Sequence, residues 1–489
     1  MSFPRVVTAG LISAALLSAQ SDKPRWWAKY QYLLQNGANK GSGPSASARA
    51  AGPNVDVSNE CGPQSETFIT LNTLNANSLA GGSNEIFRLP MRGYASSDGG
   101  TTWAGVDLPL PPAIGNGIDF GSDPTLAFDT HGNVFYGYIV VFFGQGNGIN
   151  GTEIAVARSV DGGKTYPLAN FFSFSGGGDH FNDKPMIAAD TNVGSPFRDN
   201  VYLAWDAASG GSSSGGVRFA RSTDHGASFS VIRIDNPSGP GRSIAAIPFV
   251  GPNGEVYAAW NDIAANTIAL NLSLDGGATF GTPGVVANKT IPFDIRIPAI
   301  SFRGALVYPT CDADRSNGRH RGRLYCAWMD SAANGLNTDI FSAFSDDRGS
   351  SWSQRRRVTD SLASIDRFYP WLSVDAVTGE VNISFYDTRN DNTGMRFMTD
   401  VYFTRSTDGI NWLSPNLRVS TASSNEHDCN GLFPCNAIDY GNQYGDYEGL
   451  VSFNGISHAI WTDSRNQQNF AAGCRTNLAM EEVFTAKIR

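Results

Sequence analysis

Charged and aromatic side chains recur at the ends of short alternating strands, and these residues could bind or transform a ligand. Acidic residues stand at several strand starts, among them Glu66, Asp123, Asp183 and Asp446, which precedes Tyr447. Arginines outnumber lysines at these positions, and a planar guanidinium group suits a bidentate grip on a carboxylate, as an acidic sugar would offer. The candidate binding residues are Arg242, Arg296, Arg367, Arg389, Arg465 and Tyr369. The alternative is that these charges pair with one another and only join neighbouring elements.

Seven short first strands are predicted to position these side chains. They read ETFITLN (from Glu66), DPTLAFD (Asp123), KPMIAAD (Lys184), AAIPFV (Ala245), IPAISF (Ile297), YPWLSVD (Tyr369) and YEGLVSF (Tyr447). Second strands such as NVYLAWD and EVYAAWND follow, with the period-2 alternation of a half-buried strand. The chain therefore predicts seven repeat units.

An octet of the form Ser/Thr-x-Asp-x-Gly-x-Thr/Ser-aromatic recurs six times, always after a short alternating strand, and the sixth copy is one residue short. Its aspartate can accept backbone N–H bonds within a turn, its glycine adopts a conformation that other residues disfavour, and its aromatic fills the gap between sheets. The octet is thus interpreted as a folding device that faces away from the ligand side. Its structural aspartates are Asp98, Asp161, Asp224, Asp275, Asp347 and Asp408.

The spacing of these aspartates, about 50 to 70 residues, is typical of propeller blades. We expect an all-β fold, a seven-bladed β-propeller over residues 53–489. The seventh unit stops after EEVFTAKI without a fourth strand, whereas PNVDVSN from Pro53 is similar to the outer strand PNLRVST from Pro415. The N-terminal segment should therefore close the ring and leave no bare sheet edge. A six-bladed propeller is the alternative.

Composition narrows the classes of function. The 489 residues carry a formal charge of -9 with no basic stripe, which argues against a nucleic-acid partner. Residues 1–20 have the short apolar run of a secretory signal peptide, too short to span a membrane, and residues 21–52 are expected to be a disordered linker. We therefore expect a secreted, extracellular protein, monomeric and without a membrane span.

Six cysteines, an even number, agree with an oxidising destination. Cys429 and Cys435 could close a small loop, and Cys311 and Cys326 flank a hairpin of unit five. Cys61 and Cys474 remain, and a bond between them would tie the closing strand to the last blade. Zinc is the competing interpretation, but none of the pairs has C-x-x-C spacing.

The octets resemble the Asp boxes of the sialidase and BNR-repeat superfamily over most of the chain from about residue 54. The resemblance implies an exo-acting glycosidase of sialidase type, in which a tyrosine activated by a carboxylate attacks the anomeric carbon. Tyr447 matches the family's nucleophile, and Asp123 or Asp183 would be the acid/base. The family's F-R-I-P arginine resembles Arg296 in IRIP, but Arg296 lies in unit five rather than the first blade. Together with Arg367 and Arg389, it would hold the carboxylate of the sugar.

Other functions stay open. Catalytic sialidases have six blades, and the glutamate that should assist the tyrosine has no matching position in unit six. A propeller that only binds a glycan, an acidic polysaccharide or a protein is therefore an alternative, as is a lyase acting on uronate polysaccharides. No cofactor is predicted, although Glu426, His427 and Asp428 could contact calcium on a loop.

Overall fold

A computed structural model describes most of the chain after the N-terminal segment. The described residues are 54–58, 62–86, 88–114, 118–143, 149–176, 181–207, 216–236, 243–300, 303–332, 335, 337–360, 364–427, 444–465 and 481–489. The predicted signal peptide and linker, Arg242, Asp428, and the cysteines at 61, 429, 435 and 474 lie outside them.

Thirty-one strands make up almost all the regular structure of the described residues. In chain order they are β1 (Asn54–Asp56), β2 (Gln64–Leu71), β3 (Leu79–Glu85), β4 (Arg92–Ser96), β5 (Ala104–Asp107), β6 (Phe120–Phe128), β7 (Val134–Phe143), β8 (Ile149–Ser159), β9 (Leu168–Gly176), β10 (Asn182–Ala189), β11 (Val201–Ala207), β12 (Val217–Ser222), β13 (Ser230–Arg233), β14 (Ser243–Val250), β15 (Val256–Asp262), β16 (Thr267–Ser273), β17 (Gly284–Asn288), β18 (Asp294–Ile295), β19 (Ala305–Leu306), β20 (Thr310–Ala313), β21 (Leu324–Ser331), β22 (Thr338–Ser345), β23 (Arg356–Arg357), β24 (Arg367–Val374), β25 (Val381–Asp387), β26 (Met398–Ser406), β27 (Leu417–Arg418), β28 (Ser424–Asn425), β29 (Gly449–Phe453), β30 (Ile456–Asp463) and β31 (Glu482–Ile488).

These strands form seven antiparallel blades around a ring. Blades 1 to 4 are β2–β5, β6–β9, β10–β13 and β14–β17; blades 5 and 6 are β20–β23 and β24–β27; blade 7 is β29–β31 with β1. The first strands contact one another in the order β2, β6, β10, β14, β20, β24, β29 and back to β2. The prediction of a seven-bladed propeller is confirmed. We call the end of the ring at which the first strands begin the channel mouth.

The N-terminal strand closes the ring as predicted. β1 pairs antiparallel with β31, with Val55 opposite Thr485, and the Val57 N–H donates to the Val483 carbonyl at 2.7 Å. Val55 and Val57 are buried in a cluster that also contains Ile69 of blade 1. The strand therefore completes blade 7 and packs it against blade 1.

Five first strands contain a bulge near their beginning, at a non-glycine residue with φ between +48° and +64°. These residues are Glu66, Asp123, Lys184, Ala245 and Tyr369. A bulge changes the direction of a side chain, and a left-handed backbone at a non-glycine residue stores strain that is common at functional sites. These bulges allow side chains from several blades to cluster at the mouth.

In unit five the strand prediction is wrong. The first strand is β20, not IPAISF, which instead contributes the 3-10 helix Pro298–Ile300. This helix lies within a hairpin whose strands are β18 and β19. The alternation resembles a strand, but Pro298 has no N–H for a ladder and Gly304 turns the chain at φ +89°. The insertion contains Arg296 and Arg303, and it brings Arg303 into contact with Glu66 and Asp446 at the mouth.

The six octets form turns between third and fourth strands. In the first octet, Asp98 accepts the N–H groups of Thr101 and Thr102 at 3.0 and 2.9 Å, and the Ser96 hydroxyl at 2.9 Å. Trp103 is 2% exposed. The hydrogen bonds of Asp98 are satisfied within its own turn, which is the arrangement expected of a structural residue.

The core lies between the blades, where four second strands contribute tryptophans at matching positions. These are Trp205, Trp260, Trp328 and Trp461, each less than 2% exposed. A disulfide joins Cys311 to Cys326 across β20 and β21, as predicted. Among the described residues, no helix has the length and apolar character needed to cross a membrane.

Candidate functional site

Eight polar side chains converge at the channel mouth, and we call them the mouth cluster. They are Glu66, Asp123, Asp183, Lys184, Arg303, Tyr308, Asp446 and Tyr447. Blades 1, 2, 3 and 7 and the segment before blade 5 each contribute members. The bulges of three first strands direct Glu66, Asp123 and Lys184 toward one another.

Lys184 is at the centre of the mouth cluster. Its Nζ lies 2.7 Å from Glu66 Oε2, 2.8 Å from Asp446 Oδ2 and 3.5 Å from Asp123 Oδ1, and its side chain is 4% exposed. Burial alone would lower the pKa of Lys184, but these three carboxylates raise it above its ordinary value. The ammonium group therefore remains charged while buried.

Arg303 supplies a second buried cation, from the hairpin inserted before blade 5. Its Nη2 lies 2.9 Å from Glu66 Oε1 and 2.6 Å from Asp446 Oδ1. The Tyr308 hydroxyl donates to Asp446 Oδ2 at 3.1 Å. Glu66 and Asp446 are thus each shared between Lys184 and Arg303, so the insertion is tied to blades 1, 3 and 7.

Asp123 and Asp183 form a carboxyl pair whose pKa values are shifted in opposite directions. Burial opposes ionisation of Asp123, but the Lys184 charge and a side-chain hydrogen bond with Asp183 hold the pKa of Asp123 below its ordinary value. Burial and then the Asp123 charge raise the pKa of Asp183 well above its ordinary value. The opposed pKa shifts favour the ionised form of Asp123 and the protonated form of Asp183, an arrangement that suits acid–base catalysis.

Glu66 is a second buried carboxyl group with a raised pKa. Burial raises its pKa to about 8, against the lowering effect of Lys184 and with further raising by Asp446 and Asp123. Because a pKa of about 8 lies close to neutral pH, the carboxyl group of Glu66 can gain or lose a proton under these conditions.

Tyr447 lies beside these carboxyl groups. Lys184 Nζ is 4.7 Å from the centre of its ring, and its hydroxyl donates to the Pro124 carbonyl at 2.9 Å. Burial, followed by the charges of Glu66 and Asp123, raises the pKa of Tyr447 well above its ordinary value. The phenol is neutral, and it needs a carboxylate to accept its proton before it can act as a nucleophile.

Two of the predicted arginines, Arg367 and Arg389, pair with aspartates that are not members of the mouth cluster. Arg367 pairs with Asp387 at 2.8 Å and with Asp339 at 3.2 Å, and it is 1% exposed. Arg389 pairs with Asp387 at 2.6 Å and with Asp360 at 2.9 Å. These partners match the alternative in which the charges join neighbouring elements.

The remaining predicted binding residues lie in different surroundings. Arg465 pairs with Asp463 at 2.6 Å, and the Tyr369 hydroxyl donates to the Gly304 carbonyl at 3.2 Å, next to the insertion. Arg296 is exposed, on the same insertion as Arg303. The roles of these residues in binding a sugar carboxylate stay predictions.

Sequence reasoning missed Arg303 and Tyr308, and it gave no role to Glu66 or Asp446. One signal was present: unit five has the widest gap between successive octets, about 70 residues. A longer unit indicates an inserted loop, and loops on a rigid scaffold often carry binding groups. The length of the insertion, and not a sequence motif, was therefore the signal that could have indicated Arg303.

Glu448 lies outside the mouth cluster, between blades 7, 1 and 6. Its carboxyl group is hydrogen-bonded to the hydroxyls of Thr67, Tyr386 and Thr462, the last at 2.9 Å. Burial raises the pKa of Glu448 to about 8. The protonated carboxyl can donate to the Thr67 hydroxyl, which in turn donates to the Ile460 carbonyl at 3.2 Å.

We expect Glu448→Gln to remove a pH-dependent loss of stability. A folded-state pKa raised from 4.5 to about 8 means that the neutral form stabilises fully below about pH 4.5 and that this contribution is lost as the pH rises through 8. Gln does not titrate. Between about pH 4.5 and 8, the free energy of unfolding of wild type should therefore fall relative to that of the Glu448→Gln variant by up to about 1.4 kcal/mol per pH unit. Urea denaturation at several pH values measures the difference, and parallel curves for the two proteins would contradict it.

The predicted calcium loop is described only in part. Glu426 is buried, and burial raises its pKa to about 6. His427 Nε2 lies 2.7 Å from the Pro298 carbonyl, at the inserted hairpin. Calcium binding there stays a prediction, because Asp428 lies outside the described residues.

The opposite end of the channel contains a different space. A cavity of about 190 Å³ is bounded by residues of the first strands, among them the last residues Leu71, Phe128, Ala189, Val250 and Phe453. Asp312 and Arg315 are among its polar boundary residues. This end is mainly apolar, so the mouth offers the better site for acid–base chemistry.

No protein-family model matches the chain, and no curated protein matches it. Among solved structures, a Hadza microbial sialidase is 14% identical over 66% of this chain and 63% of its own length, with a TM-score of 0.43. A leech intramolecular trans-sialidase is 12% identical over 77% of this chain and 72% of its own, with a TM-score of 0.46. An alpha-L-arabinofuranosidase from Fusarium graminearum is 9% identical over 76% of this chain and 93% of its own, with a TM-score of 0.42. Each TM-score is below 0.5, so these likenesses assign neither a substrate nor an activity.

Proposed function

We propose that the protein is a glycan-directed propeller that hydrolyses a glycosidic bond at the channel mouth. The observation that supports this proposal best is the hydrogen-bonded Asp123–Asp183 pair, with opposed pKa shifts, in one cluster with Tyr447. Enzymes commonly carry out acid and base steps at one pH with two carboxyl groups held in opposite protonation states.

In the proposed reaction, protonated Asp183 donates its proton to the leaving oxygen as the glycosidic C–O bond breaks. The Tyr447 oxygen forms a bond to the anomeric carbon, and its proton passes to a carboxylate, for which Glu66 in its ionised form is the candidate. Water then attacks the anomeric carbon as its bond to the Tyr447 oxygen breaks. Asp183 accepts the proton of that water, and Glu66 returns its proton to the Tyr447 oxygen. Asp123 stabilises the proton on Asp183 and holds Lys184.

An acidic sugar is the proposed substrate class. Its carboxylate would replace Asp446 or Glu66 on the Arg303 guanidinium group, which already makes contacts of 2.6 and 2.9 Å with carboxylate oxygens. Arg296 on the same insertion is placed to approach the outer part of such a sugar. The predicted signal peptide and the Cys311–Cys326 disulfide support an extracellular location for this activity.

The activity test uses the full-length protein with a panel of fluorogenic glycosides that includes a sialoside, together with acidic polysaccharides. Tyr447→Phe and Asp183→Asn should each lower kcat by about 10²–10⁴-fold on the substrate that is turned over. Tyr166→Phe is the matched control, because Tyr166 is a buried tyrosine in an octet on the opposite face and its hydroxyl has no hydrogen-bond partner. Turnover that persists unchanged in both mouth variants would contradict the assignment.

A propeller that binds without catalysis is the second candidate. It is favoured by one observation: the side chains of Lys184, Glu66, Arg303 and Asp446 are at most 5% exposed and satisfy one another. If the protein only binds glycans, it turns over no substrate of the panel but still binds an acidic polysaccharide. Calorimetric titration with the same polysaccharides separates binding alone from catalysis.

A further inference from the structure

Two histidines and an aspartate meet on the octet face, far along the chain from one another. Asp129 and His131 lie on the hairpin between β6 and β7 of blade 2, and His225 lies in the octet turn of blade 3. One donor atom from each of the three residues can be chosen so that all three lie within 4.8 Å of one another. This group is independent of the mouth cluster, because octet turns and the hairpins after the first strands are at the other end of the channel.

We propose that Asp129, His131 and His225 bind a divalent transition-metal ion of the Zn²⁺ class between blades 2 and 3. Asp129 Oδ2 lies 3.5 Å from His225 Nδ1 and 3.9 Å from His131 Nδ1. In a tetrahedral site with metal–ligand bonds of about 2.0–2.1 Å, neighbouring ligand atoms lie about 3.4 Å apart. The observed separations are too long for hydrogen bonds and suit an ion between the three atoms.

The ligand atoms are oriented by their neighbours. Asp129 Oδ1 accepts the backbone N–H groups of His131 and Asn133, both at 2.9 Å, and Oδ2 accepts the side-chain amide of Asn133 at 2.6 Å, so the carboxylate is held with Oδ2 beside the imidazoles. His225 Nδ1 is buried and has no hydrogen-bond partner among the residues that the structure describes. Hydrogen bonds that fix a ligating carboxylate are a regular part of metal sites.

The charge and access of the group also suit a metal ion. Asp199 Oδ2 lies 3.4 Å from His131 Nδ1 and adds a second carboxylate beside the site. The side chain of Asp129 is fully buried, whereas those of His131 and His225 are 60% and 42% exposed. A dication can therefore reach the histidines from solvent and meet the carboxylates of Asp129 and Asp199, of which Asp199 is partly offset by Arg198 with its Nε 3.9 Å from Asp199 Oδ2.

His225 occupies a backbone position that glycine fills in most other octets. Its φ is +55°, and the matching residues Gly99, Gly162, Gly276 and Gly409 have φ between +66° and +77°. A left-handed backbone disfavours a side chain such as that of histidine. A functional contact explains why the turn retains this strained residue.

An inter-blade ion pair is the simpler explanation for this placement, and blade 5 provides the comparison. Arg348 has φ +59° at the same octet position and lies 3.5 Å from Glu255 of the preceding blade. Blade 3 differs because His131 adds a second imidazole, which an ion pair does not require. Imidazole with carboxylate selects Zn²⁺ or a similar ion over Ca²⁺, which prefers oxygen ligands.

The test titrates ZnCl₂ and CoCl₂ into tag-free, full-length protein freed of metal by chelation. Wild type should bind one ion that His225→Gly binds at least tenfold more weakly. The variant should keep its Tm in EDTA, because glycine suits the turn, and it should lose the rise in Tm that Zn²⁺ gives wild type. Cobalt bound to wild type should show the intense visible absorption of tetrahedral coordination.

Arg348→Gly is the matched control, since it makes the same change in the equivalent turn and should retain the full metal affinity. His131→Asn should weaken binding as His225→Gly does. Equal Zn²⁺ affinity in wild type and His225→Gly would overturn the proposal. Calcium binding that depends on Asp129 but not on the histidines would overturn the assigned class of metal.

Discussion

Replacing Lys184 by Met should lower the free energy of unfolding by about 3–5 kcal/mol. The Lys184 ammonium group lies within 3.5 Å of Glu66, Asp446 and Asp123, all of them buried. Met fills a similar volume but removes one of the two cations, Lys184 and Arg303, that balance these carboxyl groups, so the acids must take up protons or repel one another. Urea denaturation at neutral pH, followed by tryptophan fluorescence, measures the loss.

Two further variants separate this effect from the loss of an ordinary lysine. Lys487→Met changes an exposed lysine and should alter stability by less than about 0.5 kcal/mol. Adding Glu66→Gln to Lys184→Met should recover part of the loss, because it removes one of the unpaired acids. If Lys184→Met unfolds with the same free energy as Lys487→Met, the mouth cluster does not depend on its central cation.

Placing a charge in the closing strand should also lower the free energy of unfolding by a large amount. Val57 is 2% exposed, and its N–H is bonded to Val483 at the seam between the two chain ends. Val57→Asp buries an unpaired carboxylate there and should cost at least about 3 kcal/mol. Because this seam completes blade 7, its opening should expose the edge of β31 and promote aggregation.

Val285→Asp is the control for this substitution. Val285 lies on β17, the outermost strand of blade 4, and is 55% exposed. The same change there should alter stability by less than about 0.5 kcal/mol. Equal thermal midpoints for the two variants would show that the N-terminal strand adds little to closure of the ring.

The blades could be predicted because each depends on a local signal. Alternating strands before an octet mark a blade wherever they recur, and the similarity of PNVDVSN to PNLRVST indicated the closing strand. The first strand of unit five was predicted wrongly because IPAISF alternates like a strand. Pro298 and Gly304 instead favour a helical turn within an insertion. Periodicity alone does not distinguish these two outcomes.

The candidate site was less predictable, because its geometry depends on bulges and partners. A left-handed bulge at Lys184 directs this lysine into the cluster, and such a bulge at a non-glycine residue has no sequence signature. Arg367 and Arg389 were expected to hold a ligand, but both pair with the buried carboxylate of Asp387 at the end of β25. Tyr447, Asp123 and Asp183 were singled out by their places at strand starts, and these three residues do lie in one cluster.

A crystal structure of the protein soaked with N-acetylneuraminic acid tests the central claim most directly. We expect the sugar at the channel mouth, with its carboxylate within hydrogen-bond distance of Arg303 and its anomeric carbon facing Tyr447 and Asp183. Sugar bound only in the cavity at the other end, beside Leu71 and Trp371, would contradict the proposed site.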